Sequence, residues 1–378
     1  MRVALNLLAF GPQAGGVGRY ARELAPAMLQ EREDLELHLV ASADAPAWVT
    51  ALAAHPRVGI TRLRTTSARP QLLYPAQLGA LADLARRAGC DVVHGPANFV
   101  PLVGGTPTVA TIHDVMWIEH AALSGFSPVA ANVWRSLTWL SARAADVVVA
   151  DTQATAADLV RLLGVAPDKI DVVLLGAGID VGADATPAAE ARARFGIKRG
   201  RVLLSVGQKR PHKNLETVIR ALPSVPDDVV LVAPGADGGH GRELEALAAE
   251  LGVADRVRLP SWVDDRDLEG LYDLAAVDVQ MSRLEGFGLP ALEAMQRGVP
   301  TVVSTTPALL EAVGDAATVV DTEDHAGVAA AVNRILDDDA WAADLRERGR
   351  ARVAELTWRR TAQGTLAAYD RARAVAAR

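Results

Sequence analysis

Two glutamates, Glu285 and Glu293, stand seven residues apart in the stretch SRLEGFGLPALEAMQRGVPTVVS, residues 282–304. Pro290 suits a first helical position and Gly298 a C-terminal cap, so the spacing predicts a helix over residues 290–297. Glu285 then lies in the loop before that helix and Glu293 one turn inside it, so that they face a common ligand without pairing along a helix face. Ionised carboxylates only accept hydrogen bonds, so they suit ligands that carry hydrogen-bond donors. Gly286 and Gly288 free the loop backbone for close approach, and Leu289 and its neighbours offer helix-start N–H groups to phosphate oxygens.

Upstream, VGQKRPHKN closes a strand-like run, and Lys213 opens the helix that follows. Lys209 and Arg210 are both available as a second cation beside it. In TIHD, His113 stands at the carboxyl end of a strand, the edge at which open parallel sheets bind ligands, and Asp114 follows it. His94 and Asn98, in HGPANF, end the preceding strand; an acceptor-lining role and simple loop packing both fit them. Trp262 fits either the border of a nucleobase pocket or the core.

Near the start, AFGPQAGGVGRY contains Gly16-x-Gly18-x-x-Ala21, the spacing of a dinucleotide-binding turn. The first glycine follows its strand too late, however, and the nearest carboxylate after the second strand, Asp44, is misplaced for a ribose. Two readings stay open: an anion site made by Gly15, Gly16, Gly18 and a helix beginning near Arg19, or a structural glycine turn.

Short Val/Ile/Leu runs alternate with longer helical segments throughout the chain, the pattern of parallel sheets covered by helices on both faces. RVALNLL, ELHLVAS, DVVHG, TVATIHD, DVVVADT and IDVVLLG read as strands of a first half. RVLLSVG, DVVLVAPG, RVRLPSW, DVQMS, TVVSTT and ATVVD repeat the pattern in a second. The expected fold class is α/β, with two doubly wound Rossmann-like domains over residues 1–181 and 201–355 and a cleft between them. Residues 182–200 read as a linker, and 356–378 as a closing helix that packs back toward the first domain.

The chain has 378 residues, half of them hydrophobic, and a net charge of −7, which argues against a nucleic-acid partner, since such partners demand a basic face. Its single cysteine, Cys90, excludes an intramolecular disulfide and a cysteine-cluster metal site, and fits a reducing cytoplasm. No apolar run is long enough to span a membrane, and the apolar start reads as a buried strand in preference to a secretory signal. Peripheral membrane contact stays open.

EGFGLPALE, taken with GGVGRYAREL, HGPANFVPL, TIHDV, VGQKRPHKNLETVIRAL and LTWRRTAQGTLAAY in that order, resembles the family 4 type of retaining, two-domain glycosyltransferases of the GT-B fold. The resemblance implies transfer of a hexose-type sugar from a nucleoside diphosphate sugar to an acceptor hydroxyl, by same-face displacement and with no cofactor or metal. It assigns the nucleotide ribose to Glu293, hydroxyls of the transferred sugar to Glu285, and the diphosphate to Lys213 with the N–H groups of Phe287, Gly288 and Leu289. It makes His113 a contact of the donor sugar or its phosphate, with Asp114 orienting it, and places the Gly16 loop near the donor.

The family's usual arginine five residues before the lysine is Gln208 here, so Arg210 is the expected second cation. GGVGRYAREL and HKN look more like bacterial enzymes of the family that use GDP-mannose or dTDP-rhamnose than like glycogen synthases, so the resemblance implies such a donor, with a saccharide, lipid-linked or small-molecule acceptor. A nucleotide-sugar epimerase and a non-catalytic sugar-nucleotide-binding protein are the alternatives.

Overall fold

The computed structural model describes residues 1–12, 15–68, 70–121, 123, 127–177 and 185–377. It contains two parallel sheets. The first comprises β1 (Arg2–Leu7), β2 (Glu36–Ala41), β3 (Val58–Arg62), β4 (Val92–Gly95), β5 (Thr108–Ile112), β6 (Val147–Ala150) and β7 (Ile170–Val172), in the order β3-β2-β1-β4-β5-β6-β7. The second comprises β8 (Arg201–Leu204), β9 (Val229–Val232), β10 (Val257–Arg258), β11 (Ala275–Gln280), β12 (Thr301–Ser304) and β13 (Thr318–Val320), in the order β10-β9-β8-β11-β12-β13.

Both orders reverse direction once, between β1 and β4 and between β8 and β11. Loops that leave the carboxyl ends of strands on either side of such a switch diverge and leave room for a ligand. The central strands are apolar on both faces because helices cover both: Val202 and Leu204 pack with Leu271 and Tyr272, whereas Leu203 packs with Val218 and Val328.

Two compact units follow. One comprises residues 1–118, 129–176 and 356–378, the other residues 119–128 and 177–355. Residues 119–128, read from the sequence as part of the first domain, thus group with the second. The Trp358–Ala376 helix, capped by the Thr357 hydroxyl, belongs to the first unit. Its Tyr369 is fully buried, and its Asp370 pairs with Arg32 at 2.6 Å.

The expected linker is largely structured where it is described. Residues 178–184 lie outside the described set, but Ala188–Arg194 forms a helix of the second unit. Arg194 pairs with Asp267 at 2.6 Å, and Ile197 is buried in the core. The alanine-rich composition that reads as a linker is also good helix-forming sequence. One further strand, β3, joins the first sheet at its edge.

Candidate active site

In the second unit the strand order brings two loops together. β8 and β11 are neighbours on either side of the switch, and from their carboxyl ends come the loop that carries Lys213 and the loop that carries Glu285. Lys213 Nζ lies 2.7 Å from Glu285 Oε2, and both side chains are largely shielded from solvent. Burial alone would raise the Glu285 carboxyl. The Lys213 ammonium beside it, with help from Ser282, holds it below its ordinary value.

The Glu285 loop ends at Gly288, whose φ of 103° is left-handed; a Cβ there would stand 2.4 Å from Leu309 Cδ2. Only glycine meets both conditions. The helix Leu289–Gln296 starts directly after it, with Pro290 in the first turn, one residue earlier than the spacing predicts. Its first N–H groups are the donors of the helix start, while the Phe287 side chain is buried. Glu293 is buried on this helix, and Tyr272 donates its hydroxyl to Oε2 at 2.9 Å. Arg297 lies over the Tyr272 ring, 4.5 Å from its centre, pairs with Glu269 and donates to the Glu293 carbonyl. The ribose-binding candidate is thus braced from behind by a residue that no spacing rule connects to it.

The Lys213 loop separates the two candidates for a second cation. Lys209 is buried, and its ammonium donates to the Gly235 carbonyl and, at 2.6 Å, to that of Pro260. Burial pushes its pKa down to about 8. A cation held this way is structural, and Arg210 is the other candidate. The Arg210 guanidinium donates to Gln208 Oε1 at 3.0 Å, so the residue that departs from the family pattern orients the arginine that follows it. Gly238 makes room: a Cβ there would sit 2.3 Å from Arg210 Cγ.

His212 donates Nδ1–H to the Leu123 carbonyl at 3.1 Å. Burial, reinforced by Lys213, pushes its pKa down to about 4, so it is neutral near pH 7.

In the first unit, His113 stands just past β5 with both ring nitrogens engaged. Nδ1 donates to Asp151 Oδ2 at 2.6 Å and Nε2 to the Pro96 carbonyl at 2.8 Å. Two acceptors require two ring protons. Burial opposes that charge, but Asp151, the Pro96 carbonyl and the field of Asp114 together raise the pKa. The orienting carboxylate is therefore Asp151, not Asp114 as the resemblance implies, and with both ring nitrogens engaged within the protein His113 has no free lone pair for proton transfer.

For His94 the packing alternative fits. It is fully buried on β4, with Nε2 on the Thr111 hydroxyl at 2.8 Å and Nδ1 on the Tyr369 hydroxyl at 2.7 Å. Burial and the nearby His113 push its pKa down to about 3. It is a satisfied core histidine and not an acceptor ligand. Asn98 has a left-handed backbone, φ 69°; its N–H donates to the Thr111 carbonyl and its own carbonyl accepts from Ser141.

Gly16 lies in the first turn of the helix Gly15–Glu31, which begins four residues before Arg19, and a Cβ on it would meet open space. Trp262 is 46% exposed and so is not core. Among the described residues no group of three His, Cys, Asp or Glu gathers as metal ligands, and no helix is long and apolar enough to cross a membrane.

Known proteins resemble this chain over nearly its whole length. Residues 188–352 match the family described as Glycosyl transferases group 1, and residues 14–180 match Glycosyltransferase Family 4. The D-inositol 3-phosphate glycosyltransferase of Salinispora arenicola is 32% identical over 402 aligned positions, covering 95% of this chain and 88% of that protein. Its namesake from Xylanimonas cellulosilytica is 31% identical, covering 95% and 92%.

Among solved structures, a sucrose-phosphate synthase from Thermosynechococcus elongatus superimposes with a TM-score of 0.77 at 23% identity, covering 98% of each chain. Anabaena HepE, solved in complex with UDP-glucose, gives 0.74 at 20% identity, covering 97% of this chain and 99% of its own. At that identity the likeness shows the fold, which is GT-B. The family matches, the relatives over nearly the whole length and the shared fold together establish that this chain is a glycosyltransferase of family 4.

Proposed function

We propose that this protein transfers a hexose-type sugar, with retention of configuration, from a nucleoside diphosphate sugar to an acceptor hydroxyl. The observation that carries the reading is the 2.7 Å pair of Lys213 and Glu285 at the carboxyl ends of β8 and β11, with Glu293 on the helix that follows. A cation and a carboxylate held ionised side by side suit a ligand with an anionic diphosphate next to a polyol.

In this reading Glu293 takes the ribose hydroxyls, and Glu285 takes hydroxyls of the transferred sugar. Lys213, Arg210 and the N–H groups of Gly286, Phe287, Gly288 and Leu289 hold the diphosphate. The bond from the anomeric carbon to the phosphate oxygen lengthens first, and negative charge grows on the leaving diphosphate. Cations and oriented N–H groups at that point lower the barrier directly. The acceptor oxygen attacks from the same face and passes its proton to the leaving phosphate oxygen, so no protein base is required, in keeping with a His113 whose ring nitrogens are both engaged within the protein. Asn98, Asp114 and the Gly16 turn are the first unit's candidates for substrate contact. The cations and N–H donors can neutralise the diphosphate without a metal.

The GDP-mannose or dTDP-rhamnose preference rests on GGVGRYAREL and HKN alone. The UDP-glucose of HepE and the acceptor named for the Salinispora relative widen the first assay to UDP-sugars and D-inositol 3-phosphate. Product formation that requires both a sugar nucleotide and an acceptor, with the anomeric configuration of the donor kept in the NMR spectrum of the product, is the expected result. Turnover without acceptor would favour an epimerase, and tight donor binding without any turnover a binding protein.

A further inference from the structure

The turn that carries Lys213 is held from outside the site. Pro211–Lys213 makes a single 3₁₀ turn that ends at Asn214, a non-glycine residue with φ 52° and ψ 41°. Left-handed backbone at such a residue persists only where its surroundings enforce it. Here Asn214 is fully buried: Nδ2 donates to the Thr322 carbonyl at 2.7 Å, and Oδ1 accepts from the Thr217 hydroxyl at 2.9 Å.

The other side of the turn is held by Arg283, two residues before Glu285. Its main-chain N–H donates to the His212 carbonyl at 2.7 Å, and its guanidinium donates through Nη1 to the Pro211 carbonyl. The remaining guanidinium edge makes a two-pronged pair with Glu323, at 2.6 and 2.9 Å. Both anchors therefore lead to consecutive residues, Thr322 and Glu323, just past β13.

We infer that Arg283, fixed by Glu323, is a positioning residue that aims the Lys213 ammonium at the donor diphosphate. The inference rests on the reading of Lys213 as the diphosphate cation and adds to it the device that sets its direction. The planar fork of Arg283 explains why the device needs arginine: one edge takes the carboxylate while Nη1 reaches the Pro211 carbonyl, and an ammonium cannot fill both sites in fixed directions. Glu323 is 64% exposed, so its pair contributes little to global stability. Its work is local.

The test measures dissociation constants by calorimetry for the tightest-binding of UDP, GDP, dTDP and ADP and for its parent nucleoside. The ratio of the two isolates the diphosphate contribution. Glu323→Ala and Arg283→Ala are expected to weaken the diphosphate about 5- to 20-fold and leave the nucleoside within about 2-fold, as weakening of one charge-assisted hydrogen bond would. Arg283→Lys is expected to restore part of the loss, and Glu323→Ala to keep its melting temperature within about 2 °C.

Lys213→Ala distinguishes the two levels of the argument. If it abolishes the diphosphate preference while both Glu323→Ala and Arg283→Ala leave that preference intact, the positioning role is wrong and the donor reading stands. Equal weakening of nucleoside and diphosphate by Arg283→Ala would also overturn it, as a merely structural effect. If Lys213→Ala itself changes nothing, the donor reading fails and the positioning role fails with it.

Discussion

Lys213 and Glu285 are 72 residues apart in sequence, and their charged atoms meet at 2.7 Å because β8 and β11 are adjacent in the sheet. The pair works in both directions. Lys213 keeps the Glu285 carboxyl ionised despite burial, and Glu285 fixes where the ammonium stands. A buried pair of this kind adds little net stability, but each partner left alone is an uncompensated charge.

Lys213→Met is therefore expected to do more than reduce turnover. If Lys213 is the proposed diphosphate cation, its loss costs about 10²- to 10³-fold in kcat, the scale of removing one oxyanion-hole donor. Without the ammonium, burial prevails and the Glu285 carboxyl rises, so the acid limb of the activity profile moves to higher pH. A pH profile of the residual activity checks this; an unmoved acid limb would show that Lys213 does not set the charge of Glu285.

The His113–Asp151 pair predicts a stability that depends on pH. The folded-state pKa of His113 is raised, so its contribution is fully present below the unfolded value of about 6.5 and is lost as the pH rises through the folded value. Asp151→Asn removes the stabilising charge and leaves a buried imidazolium or a neutral ring with a broken bond. Denaturant melts at pH 6 and pH 9 are expected to show the variant losing about 3 to 5 kcal/mol at the lower pH and less at the higher.

Asp278 offers a third test. It is fully buried on β11, and burial, with the Glu293 charge nearby and against the Gln280 hydrogen bond, holds its carboxyl well above the ordinary range. A raised carboxyl destabilises the fold as the pH climbs above its unfolded value near 3.9. Asp278→Asn, of the same shape and never charged, is expected to flatten that decline and to be at least as stable as the parent at pH 8. Thermal melts across pH 4 to 9 measure it directly.

Much of the architecture is legible in the sequence because buried parallel strands are continuous apolar runs. Twelve of the runs quoted above coincide with strands of the two sheets. The missed strand, β3, is an edge strand reading VGITR, with a glycine inside it and half-exposed side chains, so it lacks that signature. The site is legible where local chain chemistry makes it, as at Gly288, Pro290 and Glu293. It is illegible where it depends on packing between distant segments: nothing near His94 announces Tyr369, and nothing near Glu293 announces Tyr272. The same limit hid Asp151 behind the adjacent Asp114, and Arg283 and Asn214 behind the lysine they flank.

Gly16 shows how the structure sharpens a sequence-level question. A Cβ at Gly16 meets nothing within 4 Å, so Gly16→Val is expected to fold with a melting temperature close to that of the parent. Any loss of transfer in that variant reports on ligand and not on packing. Unchanged nucleotide affinity and unchanged transfer would remove the Gly16 turn from the substrate contacts.

The most direct test of the donor reading is the melting temperature of the pure protein titrated with UDP, GDP, dTDP, ADP and NAD, for the parent and for Glu293→Gln. A ligand that binds only the native state raises it by mass action, about 2.7 kcal/mol of added stability at a hundredfold excess over Kd. The account predicts a selective rise with one nucleoside diphosphate that is strongly reduced in Glu293→Gln. A rise with NAD alone, or a diphosphate response unaffected by Glu293→Gln, would contradict it.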